Sequence, residues 1–156
     1  AIEGVCVAGG LELALWCDLR VSSETARFGV FCRRVGVPLI DGGTVRLPRL
    51  IGASRAMDLI LTGREVDARE ADQIGLVNRL VPRGQARSSA EALASALASF
   101  PQATLRADLC SARRAFEGPM EELMKDEVIR AKDALELEAS EGARRFGARP
   151  RFEAED

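Results

Sequence analysis

Ala8-Gly9-Gly10-Leu11-Glu12-Leu13-Ala14 is the stretch that decides how this 156-residue chain is read. A short apolar run, Ala1 to Val7, precedes it and has the character of a strand. Leu11 to Cys17 follows and has the character of a helix. Two glycines therefore stand at a strand-to-helix turn, with Glu12 in the first helical turn. The first N–H groups of a helix have no intrahelical partner, and they attract an anion. A carboxylate beside the same spot adds an acid–base group. The combination points to an enzyme that stabilises an oxyanion.

Composition narrows the field. Hydrophobic residues make up 47% and charged residues 29%, ordinary for a globular chain. The length suits one domain with a real core, or part of a larger one. A net charge of −2 gives no global attraction to nucleic acid or an anionic membrane. Cys6, Cys17, Cys32 and Cys110 form no C-x-x-C pair, and the chain has no histidine. That excludes a zinc site of the usual ligand set and any Ser-His or Cys-His pair. The cysteines read as reduced thiols of a cytoplasmic protein. No metal or redox cofactor is suggested, and no apolar run approaches the ~18 residues of a membrane span. The chain does not begin with Met and opens inside an apparent strand, so an N-terminal portion is expected to be missing.

Along the chain, Asp18 to Ser23 reads as a second strand, and Phe28 to Asp41 reads as irregular. Gly42-Gly43-Thr44 opens a short helix closed by Gly52. Ala53 to Leu61 is a further helix, with Gly63 as its C-cap. Asp67 and Glu70 form a capping-box pattern ahead of a helix ending at Gly75. Leu76 to Val81 reads as extended. Ser88 and Glu91 form a second capping box, Pro101 starts a helix through Phe116, and Pro119 starts another after the Gly118 break. The chain is thus read as α/β, with a core over residues 1–82, a helical region over 83–150 and a loose tail over 151–156.

Several blocks occur in a telling order: Ala1-Ile2-Glu3-Gly4, then Ala8 to Ala14, then Cys17-Asp18-Leu19-Arg20-Val21, then Ala26-Arg27-Phe28-Gly29. Gly42-Gly43-Thr44-Val45-Arg46-Leu47-Pro48-Arg49-Leu50-Ile51-Gly52, Leu61-Thr62-Gly63 and Ala71-Asp72-Gln73-Ile74-Gly75-Leu76-Val77 complete them. On these blocks the chain resembles the crotonase superfamily, the enoyl-CoA hydratase/isomerase family. The resemblance implies the C-terminal part of a spiral of ββα turns, followed by a helical region that drives trimer formation. It implies an acyl-CoA thioester as substrate, with coenzyme A present as part of that substrate. It implies a homotrimer or a dimer of trimers. Family chains extend further at the N-terminus, where a second oxyanion donor and much of the CoA pocket reside.

The resemblance also assigns roles. The Gly9 N–H would donate to the thioester oxygen as it becomes enolate-like, with Gly10 beside it at the substrate. Glu12 matches one of two glutamates that handle water and protons in hydratases. The second falls at Cys32 in Val30-Phe31-Cys32-Arg33-Arg34, and a thiol does not replace a carboxylate without strong activation. Asp41 stands near where some isomerases and lyases of the family carry a working Asp; it is equally a candidate to cap the helix opening at Gly42. Phe146 matches a region that lines a neighbour's adenine pocket, or is a packing residue. Arg46 and Arg49 read mainly as structural. Three functions stay open: hydration with Glu12 as acid/base, isomerisation or lysis using Glu12 and Asp41, and acyl-CoA binding without turnover.

Overall fold

The computed structural model describes residues 1–147, apart from the side chains of Arg145 and Phe146. Among the described residues the strands are β1 (Val5–Val7), β2 (Val21–Ser23), β3 (Arg27–Gly29), β4 (Val66–Asp67) and β5 (Arg79–Val81). The helices are α1 (Gly9–Trp16), α2 (Gly43–Ile51), α3 (Ala53–Thr62), α4 (Ala68–Gln73), α5 (Ala86–Ala98), α6 (Gln102–Arg113), α7 (Met120–Ala134) and α8 (Ser140–Gly147). The chain divides into two compact units, the first running Ala1–Ala94 and the second starting at Ser95. The α/β class expected from the sequence is present.

In the first unit the chain steps between two small sheets. Ile2 bridges Ser22 in parallel, and β2 pairs in parallel with β5. Three residues later β1 pairs in parallel with β3, which takes β4 antiparallel on its other edge. The apparent strand over Ala1 to Val7 is therefore split, with Ile2 serving one sheet and Val5–Val7 the other. The region read as irregular, Phe28 to Asp41, holds the end of β3 and a 3₁₀ turn over Phe31–Val35. A three-residue strand with Phe28 and Gly29 both buried has no alternation to betray it. Phe28, Leu11, Leu47, Leu59, Val66 and Leu76 are fully enclosed and form the core on which α1 to α4 rest.

Helix starts in this unit follow two rules. Asp67 caps α4 locally, its Oδ1 accepting from the Glu70 N–H at 2.8 Å. The Glu70 side chain does not return to Asp67; it pairs with Arg64, so only half of the expected capping box forms. The second expected box, Ser88 and Glu91, does not form. Helix α5 begins two residues earlier, at Ala86, because the Glu3 carboxylate accepts from the N–H groups of Gly84 and Ala86. Glu91 pairs instead with Arg87.

In the second unit α6 and α7 pack together, and a π turn over Leu135–Ala139 leads into α8. Along α7, Met120, Met124, Val128 and Ile129 are exposed. Glu138 sits at the start of α6, accepting from the backbone N–H of Ala103 at 2.9 Å and of Thr104 at 2.8 Å. The Thr104 and Ala103 N–H groups hold its carboxyl below the ordinary Glu value of ~4.3. A carboxylate whose folded pKa is depressed supports the fold above its unfolded pKa and loses that support as pH falls through the folded value. Thermal unfolding followed between pH 6 and acid is therefore expected to show a falling limb below ~4.3 to which Glu138 contributes. Glu138→Gln is expected to flatten that limb, and an unchanged profile would count against the assignment.

Among the described residues no helix is long and apolar enough to cross a membrane.

Candidate active site

The strand-to-helix corner lies between β1 and α1, and its unusual backbone falls on Ala8 rather than on either glycine. Ala8 stands before α1 with φ 49° and ψ −127°, a backbone setting costly for a residue with a side chain. Two hydrogen bonds hold it: its N–H donates to the Gly29 carbonyl at 3.0 Å, and its carbonyl accepts from the Glu12 N–H at 3.0 Å. Gly9 and Gly10 follow as the first, exposed residues of α1. Behind them the buried Cys6 thiol lies 3.5 Å from the Gly10 carbonyl, and burial pushes its pKa up to about 11. It is an inert packing thiol.

Glu12 is buried, with 3% of its surface exposed. Its Oε1 accepts two hydrogen bonds, from the N–H of Asp41 in the loop before α2 and from the N–H of Gly43, the first residue of α2, each at 2.9 Å. The Gly43 N–H is an N-terminal donor of α2, whose N-cap is Gly42 and which has no side-chain cap of its own. Glu12 therefore supplies from a distance what a capping side chain supplies locally, and the α2 dipole favours negative charge there. Oε2 accepts no hydrogen bond among the described residues. No buried side-chain oxygen among them lacks a partner, so Oε2 keeps access to solvent.

Two glycines make this possible. Gly42 has φ 94°, the left-handed region that L side chains avoid. Gly43 is needed for space: a Cβ there would lie 2.8 Å from Glu12 Oε1, 2.9 Å from its Cγ and 3.0 Å from Leu39 Cδ1. The same loop carries Asp41. Its Oδ2 lies 3.8 Å from where a Cβ on Gly9 would be, so Asp41 faces the corner. The alternative in which Asp41 caps α2 is corrected: Gly42 is the N-cap, and Glu12 holds the donors.

The fold thus brings Gly9, Glu12 and Asp41 to one place. Gly10 sits beside them but lines a different recess of about 290 Å³ on the side of α1 facing Leu13, Ala14 and Cys17. Cys32 is buried in the 3₁₀ turn and lines a cavity of about 370 Å³ with Val30, Val37, Pro38, Leu39 and Ile60. It makes no hydrogen bond to Glu12 or Asp41 among the described residues. Arg33 and Arg34, its neighbours, point their Nε–H groups at the Ile60 and Gly63 carbonyls instead. The side chain of Phe146 lies outside the described residues. Trp16 and Leu39 escaped the sequence reading. The usable signal for Trp16 was its place four residues after Glu12, on the same helical face.

A family model described as enoyl-CoA hydratase/isomerase matches residues 1–153. The chain belongs to the enoyl-CoA hydratase/isomerase family. Among relatives in this family, enoyl-CoA hydratase EchA19 of Mycobacterium tuberculosis is 38% identical over 156 residues, covering 98% of this chain and 59% of that protein. The M. tuberculosis protein named "Probable enoyl-CoA hydratase echA8" is 41% identical over 122 residues, covering 78% of this chain and 48% of its own. The crystal structure of enoyl-CoA hydratase from M. tuberculosis H37Rv superposes with a TM-score of 0.91 at 32% identity, over 97% of this chain and 60% of the other. The enoyl-CoA hydratase/isomerase fold, the crotonase α/β fold with a helical C-terminal region, is therefore that of this chain. The chain spans about half to three-fifths of the length of these relatives.

Proposed function

We propose that this chain carries the acid–base half of an acyl-CoA-processing site of the enoyl-CoA hydratase/isomerase type. The Gly9 N–H stabilises the thioester oxygen and Glu12 moves the proton. One observation carries the reading: a buried carboxylate with Oε1 fixed by two N–H donors and Oε2 left open, one helical turn from the exposed glycine corner. In hydration, water adds at Cβ of the enoyl thioester and the Cα=Cβ electrons move to the thioester oxygen. The resulting enolate is then protonated at Cα. A donor at the oxygen lowers the barrier because charge develops there, and losing one costs about 10²–10³ in rate in studied enzymes. Glu12 Oε2 serves as the group that takes or returns the proton. The exposed apolar row on α7 supports self-association, and trimers are the form we expect.

A second reading has its own support. Asp41 faces Gly9 from the loop that holds Glu12, whereas the position of the second hydratase glutamate is the buried Cys32. Glu12 and Asp41 make a pair suited to shifting a double bond. One carboxylate removes a proton from the carbon next to the carbonyl, the electrons spread over a dienolate, and the other carboxylic acid returns a proton two carbons away. The two readings separate when the whole protein is given crotonyl-CoA, followed for hydration, and a 3-enoyl-CoA, followed for conversion to the 2-enoyl isomer. Asp41→Asn is expected to lower isomerisation by about 10²-fold or more and to spare crotonyl-CoA binding. Isomerisation at wild-type rate in Asp41→Asn removes Asp41 from the mechanism. Turnover of neither substrate by the wild type removes both readings.

A further inference from the structure

Trp16 and Arg46 form a clamp on the Asp41–Gly43 loop that the family assignment does not explain. The Trp16 Nε1–H donates to the Asp41 carbonyl at 2.8 Å. The Arg46 guanidinium lies over the Trp16 ring, 3.6 Å from its centroid, and its Nη1 reaches the Leu15 carbonyl at 3.5 Å. The stack also closes over Gly42: a Cβ there would meet Arg46 Nε at 3.6 Å and Trp16 Nε1 at 3.8 Å. Asp41 is consequently held from both sides. Its N–H donates to Glu12 and its carbonyl accepts from Trp16, and both partners come from α1. A residue pinned at both its peptide groups has little freedom left in its backbone, so its Cα–Cβ bond keeps one direction, from which the carboxylate reaches to 3.8 Å of the place a Cβ on Gly9 would take.

The cost of the arrangement speaks for a purpose. Trp16 remains 57% exposed, so it contributes far less burial than an enclosed indole. The hydrogen bond spans 25 residues and fixes a loop whose neighbours Val37 and Ile40 are largely exposed and add little packing. A cation over an indole face contributes modestly at an exposed site, enough to hold the ring and too little to hold the fold. We infer that Trp16 and Arg46 are positioning residues that aim the Asp41 carboxylate at the glycine corner. This rests on the reading in which Asp41 transfers a proton.

The test combines Trp16→Phe, Arg46→Met and Asp41→Asn in the whole protein with a 3-enoyl-CoA. Trp16→Phe is expected to lower kcat about tenfold with KM within twofold, since misplacing a catalytic group by about 1 Å costs up to ~10²-fold. Added to Asp41→Asn, it is expected to cost nothing more. Arg46→Met, which keeps the fold if Trp16→Phe does not, is expected to act in the same direction. It is also expected to move the Trp16 emission to the red, read as the difference between spectra with and without Trp16. An unchanged kcat in Trp16→Phe alongside an impaired Asp41→Asn overturns the clamp and leaves the proposed function standing. A full tenfold loss that persists on the Asp41→Asn background overturns it too, because Trp16 then acts elsewhere. Unchanged emission in Arg46→Met overturns the stack. Wild-type isomerisation in Asp41→Asn is a different failure: it removes the proton-transfer role of Asp41 and the clamp's purpose with it.

Discussion

Glu12→Gln is expected to lower turnover of an enoyl-CoA ester by about 10²–10⁴-fold while lowering Tm less than Glu12→Ala does, since it loses the anion at α2 but keeps the acceptor. The reason lies in the two jobs of one side chain. Oε1 accepts from Asp41 and Gly43, and the amide oxygen of Gln accepts equally well. The amide nitrogen then takes the place of Oε2, which has access to solvent and no partner to offend. What Gln lacks is the ability to take or give a proton. Glu12→Ala separates the jobs from the other side. It leaves the buried Gly43 N–H without an acceptor, which costs about 1–3 kcal/mol, and it removes the anion from the α2 N-terminus. At roughly 2–4 °C per kcal/mol for a chain of this size, its Tm is expected to fall by several degrees. Rates of crotonyl-CoA hydration, 3-enoyl-CoA isomerisation and unfolding, measured on the three proteins together, decide the matter. Turnover in Glu12→Gln close to wild type for both substrates would sink the acid–base role. A Glu12→Ala protein as stable as wild type would sink the capping role.

Gly43→Ala is expected to damage the site without touching any group that reacts. The new methyl would lie 2.8 Å from Glu12 Oε1 and 2.9 Å from its Cγ, closer than real carbon contacts. Leu39 Cδ1 at 3.0 Å closes the third side. Either the carboxyl swings away from its two donors or the first turn of α2 shifts. Overpacking of this kind costs about 1–3 kcal/mol, outweighing the ~0.4–1 kcal/mol gained by stiffening the unfolded chain. Turnover is expected to fall by about 10–10²-fold, since the carboxyl no longer keeps its place. Combined with Glu12→Gln, the methyl is expected to add little to the loss of rate. The measurement is kcat and Tm for the single and double variants. Wild-type kcat in Gly43→Ala would show that the fixed orientation of Glu12 does not matter for the rate.

Much of the site was legible because it is local. A glycine pair between an apolar run and a helix, followed by Glu12, fits a strand-to-helix corner whatever surrounds it. The start of α2 after Gly42 and the left-handed Gly63 after α3 were likewise local facts of backbone chemistry. What the sequence did not disclose was who holds whom. Asp41 and Ser88 look like caps by type and position, yet the Gly43 N–H goes to Glu12, 31 residues away, and α5 starts upstream of Ser88, where Glu3 accepts from Gly84 and Ala86, 81 and 83 residues away. Nothing in a window of four residues carries that information. The Trp16 contact with Asp41 is hidden for the same reason. Strand β3 was missed because three residues, two of them buried, give no period to read.

Ala8 gives the corner a further property. It sits where its own methyl group disfavours it, at an expense of about 1–3 kcal/mol, and its bonds to Gly29 and Glu12 help keep it there. A backbone restrained in this way behaves like a latch under tension. If β1 separates from β3, the peptide relaxes toward an ordinary conformation and the orientation of the Gly9 amide is lost with it. Competence to bind charge at this spot is thus tied to the integrity of the three-stranded sheet, and is expected to disappear in partial openings that leave most of the core intact.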